Sequence, residues 1–479
     1  MNQVEAAIGA ALERWDEDEA ARLIEAAAAE GSLAPARLVE LARRIDRNDL
    51  AVALLEAAET PDRLAILSLR KEMGEPVADA IADAIAARGD TRAPALLELV
   101  SALEMEGRAS EAARALEARL AREPGWIAGH QALAQLRWMM REGDATASFA
   151  AAVEARPDDE PLRAAYLGTL KTMEDGAALD VAWGEAIAAF PNSPLIAMVG
   201  ADLLSERGRV AEADEQFRRL VNMQDRAFDA ARLRHLMRTG RIDELLRVGA
   251  AALQRHGDLE CWAWFGAALR ASGHPQADWF YRGESLVSEQ QVELDAPARR
   301  ALATRLRALH HAAGPPLGQS PRGGSQTFGN LFKRRDPEIV AARAAILRAV
   351  RTHVEALPAP EPQHPFLSRR AAGAVRMVGS WSILLRGGGH HVPHIHSHGW
   401  LSSALYVDLP ERLGTAGGHE GWLQIGQPPI DGGRAVEPLA RVRPAPLKLA
   451  LFPSIFWHGT LPFETGERLT MAFDMVPAG

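Results

Sequence analysis

The run Pro393-His394-Ile395-His396-Ser397-His398-Gly399-Trp400 decides how the C-terminal third of the chain folds. It sits among short apolar runs parted by Gly and Pro. Trp381–Arg386 precedes it; Leu401–Leu409, Trp422–Ile425, Leu447–Phe452 and Leu469–Met475 follow. Runs of this length, bounded by turn formers and with no helix between them, predict strands. Five or more such strands in succession predict a sandwich or jelly roll.

On an extended segment, residues two apart face the same way, so His394 and His396 can reach one ion together. A third histidine, His458, ends the later apolar run Leu451-Phe452-Pro453-Ser454-Ile455-Phe456-Trp457. Arg468 stands ten residues further on, in Arg468-Leu469-Thr470. Imidazole suits divalent iron, and three facial ligands leave positions open for a co-substrate and oxygen. Arg468 offers the planar fork that a carboxylate takes up, and Thr470 faces the same way with a hydroxyl. A shifted pair, His396 with His398, is the alternative. A lone histidine is ordinarily a core or surface group; the separate His458 and the placement of Arg468 favour a metal site. His390 and His391 follow Gly387-Gly388-Gly389 and read as rim residues. That glycine turn precedes neither a helix start nor a Lys-Ser/Thr pair, so it is no phosphate loop. Trp400, Trp422 and Trp457 read as jelly-roll core.

Ahead of the strands lies a stretch rich in turn formers, Gly314-Pro315-Pro316-Leu317-Gly318 through Asn330, which reads as a linker entering the second domain. A helix is predicted from Pro337 to Ala356, with proline at its first turn. Further back, to about residue 310, the chain is dominated by Ala, Leu, Glu and Arg, which favour helix. Pro124, Pro157 and Pro191 recur at 33 and 34 residues, and Asp225 and Asp258 continue the series. Within each unit a second break recurs at Gly107, Gly208, Gly240 and Gly273, where glycine can take a left-handed cap. A period near 34 with two helices per unit predicts a solenoid with a long concave surface. The period is plainest from about 95 to 290 and looser before. Such a surface favours binding a protein or peptide over a purely scaffolding role.

The formal charge of −9 disfavours nucleic acid, and Lys333-Arg334-Arg335 reads as a solvated turn. Cys261 is the single cysteine; it rules out an internal disulfide, fits a reducing compartment, and reads as core within Cys261-Trp262-Ala263-Trp264-Phe265. No basic segment followed by an apolar stretch opens the sequence, and no run of about twenty apolar residues occurs. The expectation is a cytoplasmic protein that does not engage a membrane.

The repeat resembles the tetratricopeptide (TPR) family in its period and break positions; other helical solenoids such as the Sel1-like type share these features. The segments Gln319–Asn330, His394–Pro410 and Phe452–Asp474 resemble the 2-oxoglutarate/Fe(II) oxygenase family that is often fused to such repeats. The resemblance covers about 170 residues. It implies a multidomain α + β protein: a TPR-like array over residues 1–300, a junction over 301–336, and an oxygenase jelly roll (double-stranded β-helix, cupin-like) over 337–479. It implies Fe(II) on His394, His396 and His458. It also implies 2-oxoglutarate held at its far carboxylate by Arg468 and Thr470, and hydroxylation of a peptide or protein brought by the array. Arg322 and Gln326 are expected at the substrate mouth. The usual pattern has a carboxylate two residues after the first histidine, and here His396 stands in its place, so the set is three histidines or two histidines plus water. That departure supports two other readings: a catalytically silent metal-binding adaptor or sensor, and a three-histidine dioxygenase that needs no 2-oxoglutarate.

Overall fold

The computed structural model describes residues 3–477 except 91, 224, 371–372, 412, 414–417 and 431–435. Eighteen helices, from Gln3–Glu13 to Gln276–Tyr281, make up the first part of the chain among the described residues, and they pack as consecutive pairs. The breaks seen in the sequence are the turns of this array. Gly107, Gly208, Gly240 and Gly273 all adopt φ between +68° and +73°, a region in which a Cβ would be strained. Asp225 and Asp258 cap the helices Arg226–Arg238 and Leu259–Ser272 with side-chain acceptors for exposed backbone N–H groups. Helices such as Leu259–Ser272 are buried on most sides, whereas Val210–Arg219 buries one stripe. On Val210–Arg219, Ala213 and Phe217, four apart, fill a core shared with Leu204 of the preceding helix and Phe228 of the next. Burying Phe217 contributes about 2 kcal/mol, and that burial is available only when the neighbouring pairs are stacked. Pairing extends back to the N-terminus, through the looser units before residue 95.

Nine strands follow among the described residues: β1 Ser288–Gln291, β2 Pro321–Gln326, β3 Val375–His391, β4 Leu401–Asp408, β5 Leu423–Ile425, β6 Ala440–Val442, β7 Lys448–Pro453, β8 His458–Thr460 and β9 Glu467–Pro477. They form an antiparallel six-stranded sheet, β1-β7-β4-β9-β3-β2, facing a three-stranded sheet, β6-β5-β8. The fold is a jelly roll behind a TPR-like helical solenoid. The helix Pro337–Ala356 forms as the sequence predicts, and its buried stripe joins the core formed with Leu405, Leu451 and Phe473.

The sheet starts well ahead of residue 337. Its two edge strands, β1 and β2, come from the end of the expected array and from the expected junction. The junction is also not a loose linker. Ala313 and Gly314 donate their N–H groups to the Met139 carbonyl, both at 2.9 Å. Arg335 donates its backbone N–H to Met73 O at 3.0 Å. Lys333 pairs with Glu72 at 2.8 Å, Arg335 pairs with Asp49, and Arg334 is buried against Asp336. Lys333-Arg334-Arg335 is therefore a clamp onto the early repeats rather than a solvated turn, because Glu72 and Asp49 there pair with Lys333 and Arg335 while Arg334 pairs locally with Asp336.

Trp400 is jelly-roll core, stacked on Phe366 at 4.7 Å. Trp457 instead faces the array: it lies 4.5 Å from Trp264, and its Nε1–H donates to Ala263 O. Cys261 is buried in the same cluster, and burial pushes its thiol well above the usual range, as suits a core residue. No helix among the described residues is long and apolar enough to cross a membrane.

Candidate metal and co-substrate site

His394 and His458 exchange both backbone hydrogen bonds, His394 N–H to His458 O and the reverse, each at 2.9 Å. This isolated bridge sets their rings 4.1 Å apart, centroid to centroid. His396 completes the group, its ring 5.0 Å from each of the other two. One ligand nitrogen from each residue lies within 4.8 Å of the others. The chain reaches this geometry partly because residue 459 is glycine: a Cβ there would stand 2.9 Å from the His391 carbonyl. His398 is exposed and outside the group, so the pair is His394 with His396.

The tautomers follow from the ring partners. His394 Nδ1 lies 2.9 Å from Val392 O and His458 Nδ1 lies 3.0 Å from Phe456 O. A carbonyl only accepts, so both Nδ1 atoms carry the proton and each Nε2 carries the lone pair that can ligate. His396 Nδ1 lies 2.6 and 2.7 Å from the two carboxylate oxygens of Asp474, with the same consequence. Burial, reinforced by the neighbouring His396, lowers the His394 pKa to about 3; burial and then His394 push His458 well below its usual value. Both are therefore neutral at physiological pH, the form a metal takes up.

The cavity beyond the histidines is lined by Ser320, Gln326, Trp381, Ile383, Arg468 and Thr470, among others. Arg468 is 2 % exposed, and neither its Nε nor its Nη1 has a partner among the described residues. A buried guanidinium in that condition is costly unless an anion meets it, and burial lowers its pKa accordingly. Its Cζ lies 5.1 Å from the ring centre of Tyr406, whose buried hydroxyl also lacks a partner. Thr470 lies on the same face of β9 and opposite Tyr406 of β4. The donor set thus fits a divalent metal at one end and the carboxylate of a small dicarboxylic acid at the other.

Two expected residues part company here. Gln326 lines the cavity; Arg322 does not, because its guanidinium turns outward to Glu174 of the array and to the Gln319 and Pro321 carbonyls. His391, read as a rim residue, lines the cavity; Ser320 Oγ lies 3.0 Å from its Nδ1 and 3.1 Å from His394 Nε2. Tyr406, Ser320 and Asp474 escaped the sequence reading. A signal for Asp474 existed: Arg468, Thr470, Ala472 and Asp474 alternate along one face of a single strand.

No curated protein matches the chain. Among solved structures, it is similar to a prolyl-4-hydroxylase from Pseudomonas putida, at 20 % identity over 45 % of this chain and 100 % of that one, with a TM-score of 0.28. A viral collagen prolyl hydroxylase from Paramecium Bursaria Chlorella virus-1, solved with 2OG, is similar at 11 % identity, covering 40 % and 96 %, TM-score 0.27. A thermophilic TPR protein from Thermus thermophilus is similar at 17 % identity, covering 49 % and 97 %, TM-score 0.23. Residues 379–474, which hold all three histidines, Arg468, Thr470 and Asp474, match the family described as "Putative 2OG-Fe(II) oxygenase", and the C-terminal part of the chain is a 2OG-Fe(II) oxygenase-like domain.

Proposed function

We propose that the protein is an Fe(II)- and 2-oxoglutarate-dependent hydroxylase acting on a peptide or protein that the helical array brings to the site. The observation that carries this reading is Arg468: a buried guanidinium with two partnerless nitrogens, in the cavity that the three histidines close. His394, His396 and His458 would hold the metal through Nε2. Arg468 and Thr470 would hold the far carboxylate of the co-substrate, with the fork geometry of the guanidinium fixing its orientation. When bound, the metal and 2-oxoglutarate would, with dioxygen as oxidant, supply decarboxylation to succinate and CO2, one oxygen atom passing to the succinate carboxylate and the other into a C–H bond. The surrounding Ile383, Leu423 and Ala472 exclude water, and Ser320 and Gln326 present polar groups at the junction side.

Recruitment by the array is supported by a cleft that both parts of the chain share. Arg226, His256 and Trp262 of the array line it together with Arg369, Ser397 and His398 of the jelly roll, beside the loop that carries His396. A chain held there would lie against the metal-binding segment.

The all-imidazole ligand set favours one rival, a three-histidine oxygenase that uses no 2-oxoglutarate; it leaves Arg468 without a role. Anaerobic titration with Fe(II) and 2-oxoglutarate separates the two. A visible charge-transfer band in the wild type that weakens at least tenfold in affinity in Arg468→Ala supports the proposal. Iron binding with no such band sinks it in favour of the rival or of a silent metal-binding adaptor.

A further inference from the structure

We propose that Asp474 is the positioning residue of the metal centre, supplying through His396 the negative charge that a directly bound carboxylate would otherwise bring. The inference rests on the metal-site reading above. His396 occupies the place where a carboxylate ligand is expected, so three neutral imidazoles alone would leave a divalent ion with its full charge in a buried cavity. Asp474 stands directly behind that ring. Both its oxygens lie within hydrogen-bond distance of Nδ1, at 2.6 and 2.7 Å. It does not line the cavity and is not among the residues able to reach the ion.

The carboxylate is itself held. Ser402 Oγ donates to Asp474 Oδ1 at 2.7 Å, and Ser454 Oγ lies 2.8 Å from Ser402 Oγ. The backbone holds the ring from the other side, His396 N–H donating to Ser454 O at 3.0 Å. Residue 399 must be small for this packing, since a Cβ there would come within 2.4 Å of Ser454 Oγ and 3.5 Å of the Asp474 Cβ. A carboxylate facing Nδ1 selects the Nδ1–H tautomer, aims Nε2 inward and raises its basicity. Neither His394 nor His458 has such a partner; each is held by a backbone carbonyl. The site is thus asymmetric, with its anionic character delivered through one ring.

The test uses Fe(II) alone, added anaerobically to the full-length protein in competition with a chelator. Asp474→Asn keeps the shape and removes the charge, and it should weaken Fe(II) binding about 10–100-fold while leaving the melting temperature of the metal-free protein unchanged. The same substitution in a His396→Ala background should have no further effect on affinity, because Asp474 acts only through that ring. Equal loss in both backgrounds, or no loss in either, overturns the proposal. Should Asp474→Asn fail to fold, the wild type still decides: a far-downfield ring Nδ1 proton resonance missing from His396→Ala is expected, and its absence counts against the carboxylate–histidine bond. A wild type that binds no Fe(II) overturns the metal-site reading and this inference together. Binding that Asp474→Asn leaves intact overturns this inference alone.

Discussion

Arg468 is intelligible only with an anion beside it, and the ring of Tyr406, centred 5.1 Å from its Cζ, carries another buried group without a partner among the described residues, its hydroxyl. A buried hydroxyl with no protein partner contributes nothing to folding and costs its desolvation. Tyr406→Phe is therefore expected to leave the melting temperature of the ligand-free protein unchanged or slightly raised. If the hydroxyl donates to the carboxylate that Arg468 holds, 2-oxoglutarate affinity should fall about tenfold, the value of a hydrogen bond to a charged group. Differential scanning calorimetry and the anaerobic titration check the two halves; lower stability with unchanged affinity would make Tyr406 a purely structural residue. The three clustered histidines, Arg468 and Thr470, which line one cavity, were legible as residue types at fixed spacings. Tyr406 was not, because its place beside Arg468 depends on the pairing of β4 with β9, and strand register cannot be read from one sequence. Asp474 was reachable by the same alternation that picked out Thr470. Arg322 misled because its charge suggested a substrate while its partner, Glu174, lies 148 residues away in sequence.

At the level of elements, apolar runs gave the central strands and the helix Pro337–Ala356, whereas the edge strands of both sheets, β1 and β2 among them, were missed. β1 is Ser288-Glu289-Gln290-Gln291, with no apolar signal, and β2 contains Pro321, Gly323 and Gly324, which read as a turn. An edge strand tolerates both kinds of sequence. Gly324 is required there, since a Cβ would meet the Leu384 carbonyl at 2.2 Å. The helix Pro337–Ala356 meets β1 through His353, whose Nδ1 lies 2.8 Å from Ser288 Oγ. Burial lowers the His353 pKa from 6.5 to about 4. The unfolded chain therefore binds a proton at a pH where the folded chain does not, so stability is kept above pH 6.5 and falls as the pH drops towards 4. At pH 5 this single group removes about 2 kcal/mol. His310, half-buried between Ser325 and Ser382 with its pKa lowered to about 4 by desolvation, acts in the same direction. His353→Gln, which can keep the bond to Ser288, should flatten the fall in unfolding free energy between pH 7 and pH 5 by about 2 kcal/mol. Urea denaturation at the two pH values measures it; an unchanged slope would mean the ring is not held neutral.

The whole molecule departs furthest from what the sequence suggested. Composition and period implied two units joined by a linker, since repeats, turn formers and strands follow one another along the chain. In the fold, Leu269, Phe280 and Tyr281 of the last repeats share one continuous core with the sheet. Arg270 donates to the carbonyls of Gly426 at 2.8 Å and Glu437 at 2.7 Å, holding jelly-roll loops to the array. Beside them Trp264, 1 % exposed, packs on Trp457, the neighbour of His458. Such contacts join distant parts of the chain and leave no local trace in sequence. They also make array and oxygenase domain one cooperative body where they meet. Removing the Trp264 ring should cost about 3–5 kcal/mol, and that loss should be felt on both sides of the contact. In Trp264→Ala, hydrogen exchange should quicken together in Leu259–Ser272 and in β8, the strand that begins with His458. Faster exchange confined to the helices would mean that the array can loosen without the strand that begins with His458, and that this contact does not couple the two.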